Sequence, residues 1–149
     1  MQQARIRPDV EVLAAVALIE QLAGLTLERV LPDGLTGAQF AVLSHLERAA
    51  SALTPGMLAQ ASGVTGGAMT GALDKLQAKG LVLASVDEAD RRRKWMRLTS
   101  EGLAAQRACV AAARAPREAL RQAFAAREFE QALPFLRRLV DFLEPGRAM

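Results

Sequence analysis

The sequence predicts a mainly α-helical chain that carries one small β-hairpin directly after a pair of helices joined by a tight turn. Three observations predict it. Apolar residues recur at three- and four-residue steps over most of the 149 positions, the spacing of one helix face. Four threonines, Thr36, Thr54, Thr65 and Thr99, each stand just ahead of such a stretch, where a hydroxyl can accept an otherwise unpaired N–H of the first turn. Between residues 81 and 98 the pattern changes to two short β-type runs around a charged turn, the form of a hairpin.

Arg7 to Val30 reads as a long helix, with Val10, Leu13, Ala14, Ala17, Leu18, Leu22 and Leu25 on a stripe and Asp9 as its cap. Val12, Val16 and Ile19 make the flanks of that stripe apolar as well, more than a single packed face needs, so this helix is expected to be buried or to meet a partner. Pro32-Asp33-Gly34 breaks the chain. Thr36 and Gln39 then form a capping box for a helix over Gly37 to Arg48 that presents Phe40, Val42, Leu43 and Leu46.

Thr54-Pro55 starts a short helix that stops at Gly63, and Thr65 caps the next, which runs to Lys79 and ends at Gly80. A short helix, the turn Ser62-Gly63-Val64 and a second helix are the grammar of a helix-turn-helix, whose second helix lies in the major groove of DNA. Ala68, Met69, Ala72, Leu73 and Leu76 share one face of that second helix, and Thr65, Gly66, Thr70, Gly71, Asp74 and Lys75 lie away from it. Strands over Leu81 to Val86 and Trp95 to Leu98 with the turn Asp87 to Lys94 make a wing. Thr99 caps a long Ala- and Arg-rich helix that reaches at least Ala115, with Pro116 set to kink or divide it. A last helix spans about Glu128 to Leu143, and Pro145-Gly146 ends it.

Composition narrows the function. Half of the residues (51%) are hydrophobic, enough to build a core and to exclude wholesale disorder. Uninterrupted apolar runs are short, so no transmembrane helix is expected, and the N-terminal residues lack the pattern of a secretory signal. The single cysteine, Cys109, cannot form an internal disulfide and suits a reducing cytoplasm. With one histidine, one cysteine and no tyrosine, neither a nucleophile–base pair nor a metal cluster can be assembled. No catalytic site, metal site or cofactor is expected. His45 is expected in a structural or pocket-lining role, Cys109 as a small core residue rather than a redox sensor, and Trp95 as the residue that packs the hairpin onto the domain. The net charge of +3 is concentrated: residues 75–97 hold seven basic and three acidic side chains. Such a patch points to a polyanionic partner.

In their order and spacing, three stretches resemble the MarR (multiple antibiotic resistance regulator) family of winged helix-turn-helix transcription factors. They are Leu35-Thr36-Gly37-Ala38-Gln39-Phe40-Ala41-Val42-Leu43; Gly63-Val64-Thr65 with Leu73-Asp74-Lys75-Leu76-Gln77-Ala78-Lys79-Gly80-Leu81-Val82; and Asp87-Glu88-Ala89-Asp90-Arg91-Arg92-Arg93-Lys94 with Leu98-Thr99-Ser100-Glu101-Gly102. Each is weak alone; the ordered set over about residues 35–102 is specific. The resemblance implies one MarR-like domain over 1–149, with a winged helix-turn-helix lobe at 36–102 and dimerisation helices at 1–31 and 103–149. It implies a cytoplasmic homodimer on a pseudo-palindromic operator in double-stranded DNA, most often a repressor released by a small aromatic or phenolic effector.

Carried over by motif position, Thr65 to Lys75 is the recognition helix. Asp90 holds an arginine, and Arg92, with Arg91 as the alternative, enters the minor groove, where an inserted guanidinium senses groove width. Arg93 and Lys94 meet phosphates. An effector site between the lobe and the dimer helices would draw on Leu13, Ala17, Phe40, Leu43 and His45.

Two departures matter. Leu83-Ala84-Ser85 stands where relatives often have an arginine, and Gly66, Gly67 and Gly71 occupy a helix where polar side chains are usual. Direct base readout is therefore expected to be sparse, with the wing and DNA shape carrying much of the specificity. Two alternatives stay open: a regulator of this type without an effector, and a winged-helix protein-interaction module without DNA binding.

Overall fold

A computed structural model describes residues 7–144; the N-terminal stretch before Arg7 and the helix stop at Pro145-Gly146 lie outside the described residues. The elements run α1 (Pro8–Glu28), a 3-10 turn (Pro32–Gly34), α2 (Gly37–Ala49), α3 (Pro55–Ser62), α4 (Gly66–Ala78), β1 (Val82–Val86), β2 (Lys94–Leu98), α5 (Ser100–Ala112), α6 (Arg114–Ala123) and α7 (Ala126–Leu143). The mainly α class with one hairpin is as expected. The chain divides into two compact units, Met1–Ala113 and Arg114–Met149.

In the first unit, local capping sets most boundaries. Thr36 Oγ1 accepts from Gln39 N at 3.2 Å while Thr36 N donates to Gln39 Oε1 at 3.1 Å, so the capping box closes in both directions. Thr54, Thr65 and Thr99 accept from Met57, Ala68 and Gly102 in the same way. α3 and α4 both stop at a left-handed glycine, Gly63 (φ +64°) and Gly80 (φ +70°). At the second stop Gly80 N donates to Gln77 O and Leu81 N to Leu76 O, which satisfies two of the carbonyls a helix end leaves open.

α1 begins one residue earlier than its expected cap. Arg7 occupies the cap position without a side-chain bond, and Pro8 fits the first helical position because its φ is already helical. Asp9 instead lies in the first turn and pairs with Arg7 at 2.8 Å.

The core of this unit gathers Phe40, Val42, Leu43 and Leu46 of α2, Leu58 of α3, Met69, Leu73 and Leu76 of α4, Val82 of β1, Met96 of β2 and Cys109 of α5. The hairpin pairs Val82 with Leu98 through Val86 with Lys94. It is anchored inward by an isolated bridge in which Met96 N donates to Leu53 O at 2.8 Å and Leu53 N to Met96 O at 3.1 Å. Met96 is 1% exposed and Trp95 only half-buried. Met96, not Trp95, therefore packs the hairpin onto the domain; neighbours on a strand point to opposite faces, and the inward one is Met96.

The root of β1 is tied to the start of α5. Thr99 Oγ1 donates to Gly80 O at 2.7 Å and Thr99 N to Leu81 O at 3.2 Å. Gly102, in the first turn of α5, lies so close to this corner that a Cβ built on it would collide with the Leu81 carbonyl oxygen and reach 2.9 Å from Leu98 Cδ2. α5 ends at Ala112, three residues short of the expected Ala115. Pro116 lacks the N–H to donate to Ala112 O and sits in the first turn of α6, where no intrahelical donor is needed.

α1 has no buried residue, and Val10, Leu13, Val16, Leu18, Ile19, Leu22 and Leu25 are exposed around its circumference. By length and composition alone α1 is apolar enough to cross a membrane, a test that core helices of soluble proteins also pass. Glu20 lies in mid-helix, however, and an ionisable group at that depth is costly.

In the second unit, Glu128 Oε2 accepts from Ala125 N at 2.8 Å at the start of α7. Phe124 and Phe129 meet edge to face with centroids 6.1 Å apart. α7 contains Pro134, which removes one ladder bond, and exposes Phe129, Leu133, Phe135, Val140 and Phe142.

Candidate nucleic-acid interface

The sequence points to ten residues as a DNA-facing surface: Thr65, Gly66, Thr70, Gly71 and Lys75 at the cap and on α4, and Asp90, Arg91, Arg92, Arg93 and Lys94 on the wing. All ten are exposed. On α4 the reason is the spacing of the core residues. Met69, Leu73 and Leu76 take the buried face, which turns the glycines and threonines outward.

The outward face is smooth. Thr65 spends its hydroxyl as the cap, and Thr70 Oγ1 donates to Gly66 O at 2.9 Å. A Cβ on Gly66, Gly67 or Gly71 would meet nothing within 4 Å. Packing within the chain therefore does not require these glycines. Lys79, just past α4, donates from Nζ to Asp33 O at 2.9 Å; Lys75 is the one cationic side chain within α4 itself.

The wing tip, residues 87–93, is held by one carboxylate. Asp87 Oδ1 accepts from Ala89 N at 2.8 Å and from Asp90 N at 3.3 Å, and Oδ2 accepts from Trp95 Nε1 at 2.9 Å. The indole bond, then the two backbone N–H groups, keep the Asp87 carboxyl below the usual carboxylate range. The backbone closes the same loop, with Asp87 N donating to Arg93 O and Arg93 N to Asp90 O, both at 2.9 Å. Sequence reasoning passed over Asp87. Its signal was present, because an aspartate whose side chain can reach the N–H two residues on is a turn former.

Asp90 does hold an arginine. Its Oδ1 accepts from Arg92 N at 3.1 Å and lies 3.4 Å from Arg92 Nε. Arg93 rests over the Trp95 ring at 5.3 Å from the centroid. Arg91 and Lys94 make no ion pair among the described residues. The tip thus displays four cations in succession on a backbone held by hydrogen bonds at Asp87, Ala89, Asp90, Arg92 and Arg93, an arrangement suited to phosphate oxygens or to a narrow groove.

The five residues expected around an effector lie in different surroundings. Phe40 and Leu43 are core, 8% and 0% exposed, while Leu13 and Ala17 lie exposed on α1. His45 is partly exposed and shares a 3.0 Å contact from its Nδ1 to Arg48 Nη2. Burial, and then the Arg48 charge, lower its pKa. An open groove of about 470 Å³ lies elsewhere, at Leu46, Arg97, Leu103 and Arg107 among others, and none of the five lines it.

Cys109 is fully buried in the core, and burial, with the Asp33 charge second, raises its thiol pKa. A thiol reagent at neutral pH is expected to modify Cys109 at least about 100-fold more slowly than the unfolded chain, because opening must come first. Rapid labelling of the native protein, followed by absorbance, would contradict this placement. Among the described residues, no group of three or more His, Cys, Asp or Glu could hold a metal ion.

Comparison with known proteins agrees with this geometry. The model of the MarR family matches residues 33–93. No curated protein matches by sequence. Among solved structures, a probable transcriptional regulator from Pseudomonas aeruginosa is 25% identical with a TM-score of 0.78, covering 89% of this chain and 99% of that one. A mutant MarR from E. coli complexed with operator DNA is 27% identical with a TM-score of 0.79, covering 88% and 94%. BpsR from Bordetella bronchiseptica, whose DNA binding is regulated by 6-hydroxynicotinic acid, is 26% identical with a TM-score of 0.78, covering 88% and 99%.

Proposed function

We propose that the chain is a winged helix-turn-helix regulator of the MarR family, whose model matches residues 33–93, and that it binds duplex DNA sequence-specifically as a homodimer and represses transcription until a small organic ligand releases it. The observation that carries the reading is the exposed α4 followed, through Gly80, by a hairpin whose bonded tip displays Arg91, Arg92, Arg93 and Lys94. In this reading, residues 36–102 form the DNA-binding lobe, and 1–31 and 103–149 supply the dimer contact. The exposed apolar residues of α1 and of α7 support that role, since a helix apolar on several sides is stable only when covered. Two copies related by a two-fold axis would set one α4 in each of two successive major grooves.

Release by an aromatic acid or phenol rests on the related BpsR. Linkage requires that such a ligand and DNA weaken each other's binding by the same factor.

The test is fluorescence anisotropy on the chain's own upstream intergenic DNA against a shuffled duplex, both titrated with salt. The proposal expects tighter binding to the native duplex by a factor on the order of 10³ or more. Equal and steeply salt-dependent binding to both would reduce it to phosphate contact alone. Failure to bind either at low salt would favour a protein-interaction module, for which the smooth face of α4 is the supporting feature.

A further inference from the structure

The wing holds an indole, Trp95, to which the DNA-binding reading gives no part. Trp95 lies opposite Ser85 in the hairpin register, and a serine is too small to cover an indole, so one ring face is left open. Asp87 fixes the ring from the loop side through the 2.9 Å bond to Nε1. Arg93, in the turn two residues before Trp95, holds its guanidinium over the ring at 5.3 Å from the centroid. Its backbone is pinned at both N and O to Asp90 and Asp87.

A guanidinium held over a ring by cation–π attraction still has N–H donors to offer, and those are what a phosphate meets in bidentate fashion. An arginine free in solvent loses rotamer freedom when it binds a phosphate. An arginine already resting over a ring, as Arg93 does, has less of that freedom left to lose. The three other cations of the tip differ: Arg92 is engaged by Asp90, while Arg91 and Lys94 have no comparable support.

We infer that Trp95 is a positioning residue for DNA binding, which holds the Arg93 guanidinium preset for one phosphate contact per chain while Asp87 holds the ring. This rests on the DNA-binding reading above and adds to it a cation whose position is fixed before DNA arrives.

The experiment uses the full chain and a fluorescein-labelled duplex, with anisotropy recorded over a series of salt concentrations. Arg93→Ala is expected to lower the slope of log K against log salt by about 1 per chain. Trp95→Leu is expected to lower affinity without changing the far-ultraviolet circular dichroism. The double variant is expected to be no weaker than Arg93→Ala, because the ring acts only through the guanidinium. Trp95→Phe, which keeps an aromatic face, is expected to restore most of the loss.

Trp95 is the only tryptophan, so its emission gives a second readout. It should change on titration with DNA at the same midpoint as the anisotropy, and that change should shrink in Arg93→Ala. The inference is overturned if Arg93→Ala leaves the slope intact while Arg91→Ala lowers it, or if the losses of the two single variants add fully. Absence of binding by the unaltered protein at low salt would instead overturn the DNA-binding reading, and this inference with it.

Discussion

Replacing Gly102 with alanine is expected to destabilise the fold by about 3 kcal/mol, although alanine is the better helix former. The added methyl would occupy the space of the Leu81 carbonyl oxygen and press on Leu98 Cδ2 at 2.9 Å. Leu81 cannot retreat freely, because its carbonyl accepts from Thr99 N at 3.2 Å and its own N–H donates to Leu76 O at 3.0 Å. Gly71→Ala is the matched control. It is also helical, but nothing lies within 4 Å of its Cβ, so it should gain about 0.5–1 kcal/mol. Urea unfolding of both variants gives two shifts of opposite sign. Equal midpoints for Gly102→Ala and the parent would mean that the contact between α5 and the root of β1 is looser than described.

The triple replacement of Arg91, Arg92 and Arg93 by alanine should weaken duplex binding by about 100-fold or more at fixed salt and lower the salt slope by about 3 per chain. Stability should hardly move, because these side chains are exposed and the Asp90–Arg92 pair lies in solvent. Lys75→Ala, on α4, should lower the slope by only about 1 per chain. The contrast tests where affinity resides. Anisotropy with the upstream duplex would show it, and a triple variant that bound as tightly as the parent would remove the wing from the interface.

Legibility in the sequence followed the range of the interaction. Thr36, Thr54, Thr65 and Thr99 were readable as caps because a cap acts within four residues. The glycine stops at Gly63 and Gly80 were readable for the same reason. Exposure of the wing cations followed from their number, since four successive charges cannot be buried unpaired. What depended on distant parts of the chain was not readable. No local pattern marks Gly102 as a contact with the β1 root some twenty residues earlier. Trp95 was placed on the wrong side of its strand because the core-facing parity is set by the bridge between Met96 and Leu53. The end of α5 was placed by the proline alone, and the break precedes that residue by three positions.

The corner made by Gly80, Leu81, Thr99 and Gly102 has a mechanical consequence. Two hydrogen bonds and a contact without room for one methyl leave it no slack, so the hairpin and α5 turn together as an arm and its axle. From that corner β1 extends five residues, roughly 17 Å at the usual rise of a strand. A turn of about 10° in α5 would then sweep the wing tip by about 3 Å over that arm, comparable to the reach of a single hydrogen bond. Any influence that rotates α5 in its seat is thereby geared up at the tip, and stiffness at one glycine decides how faithfully it arrives.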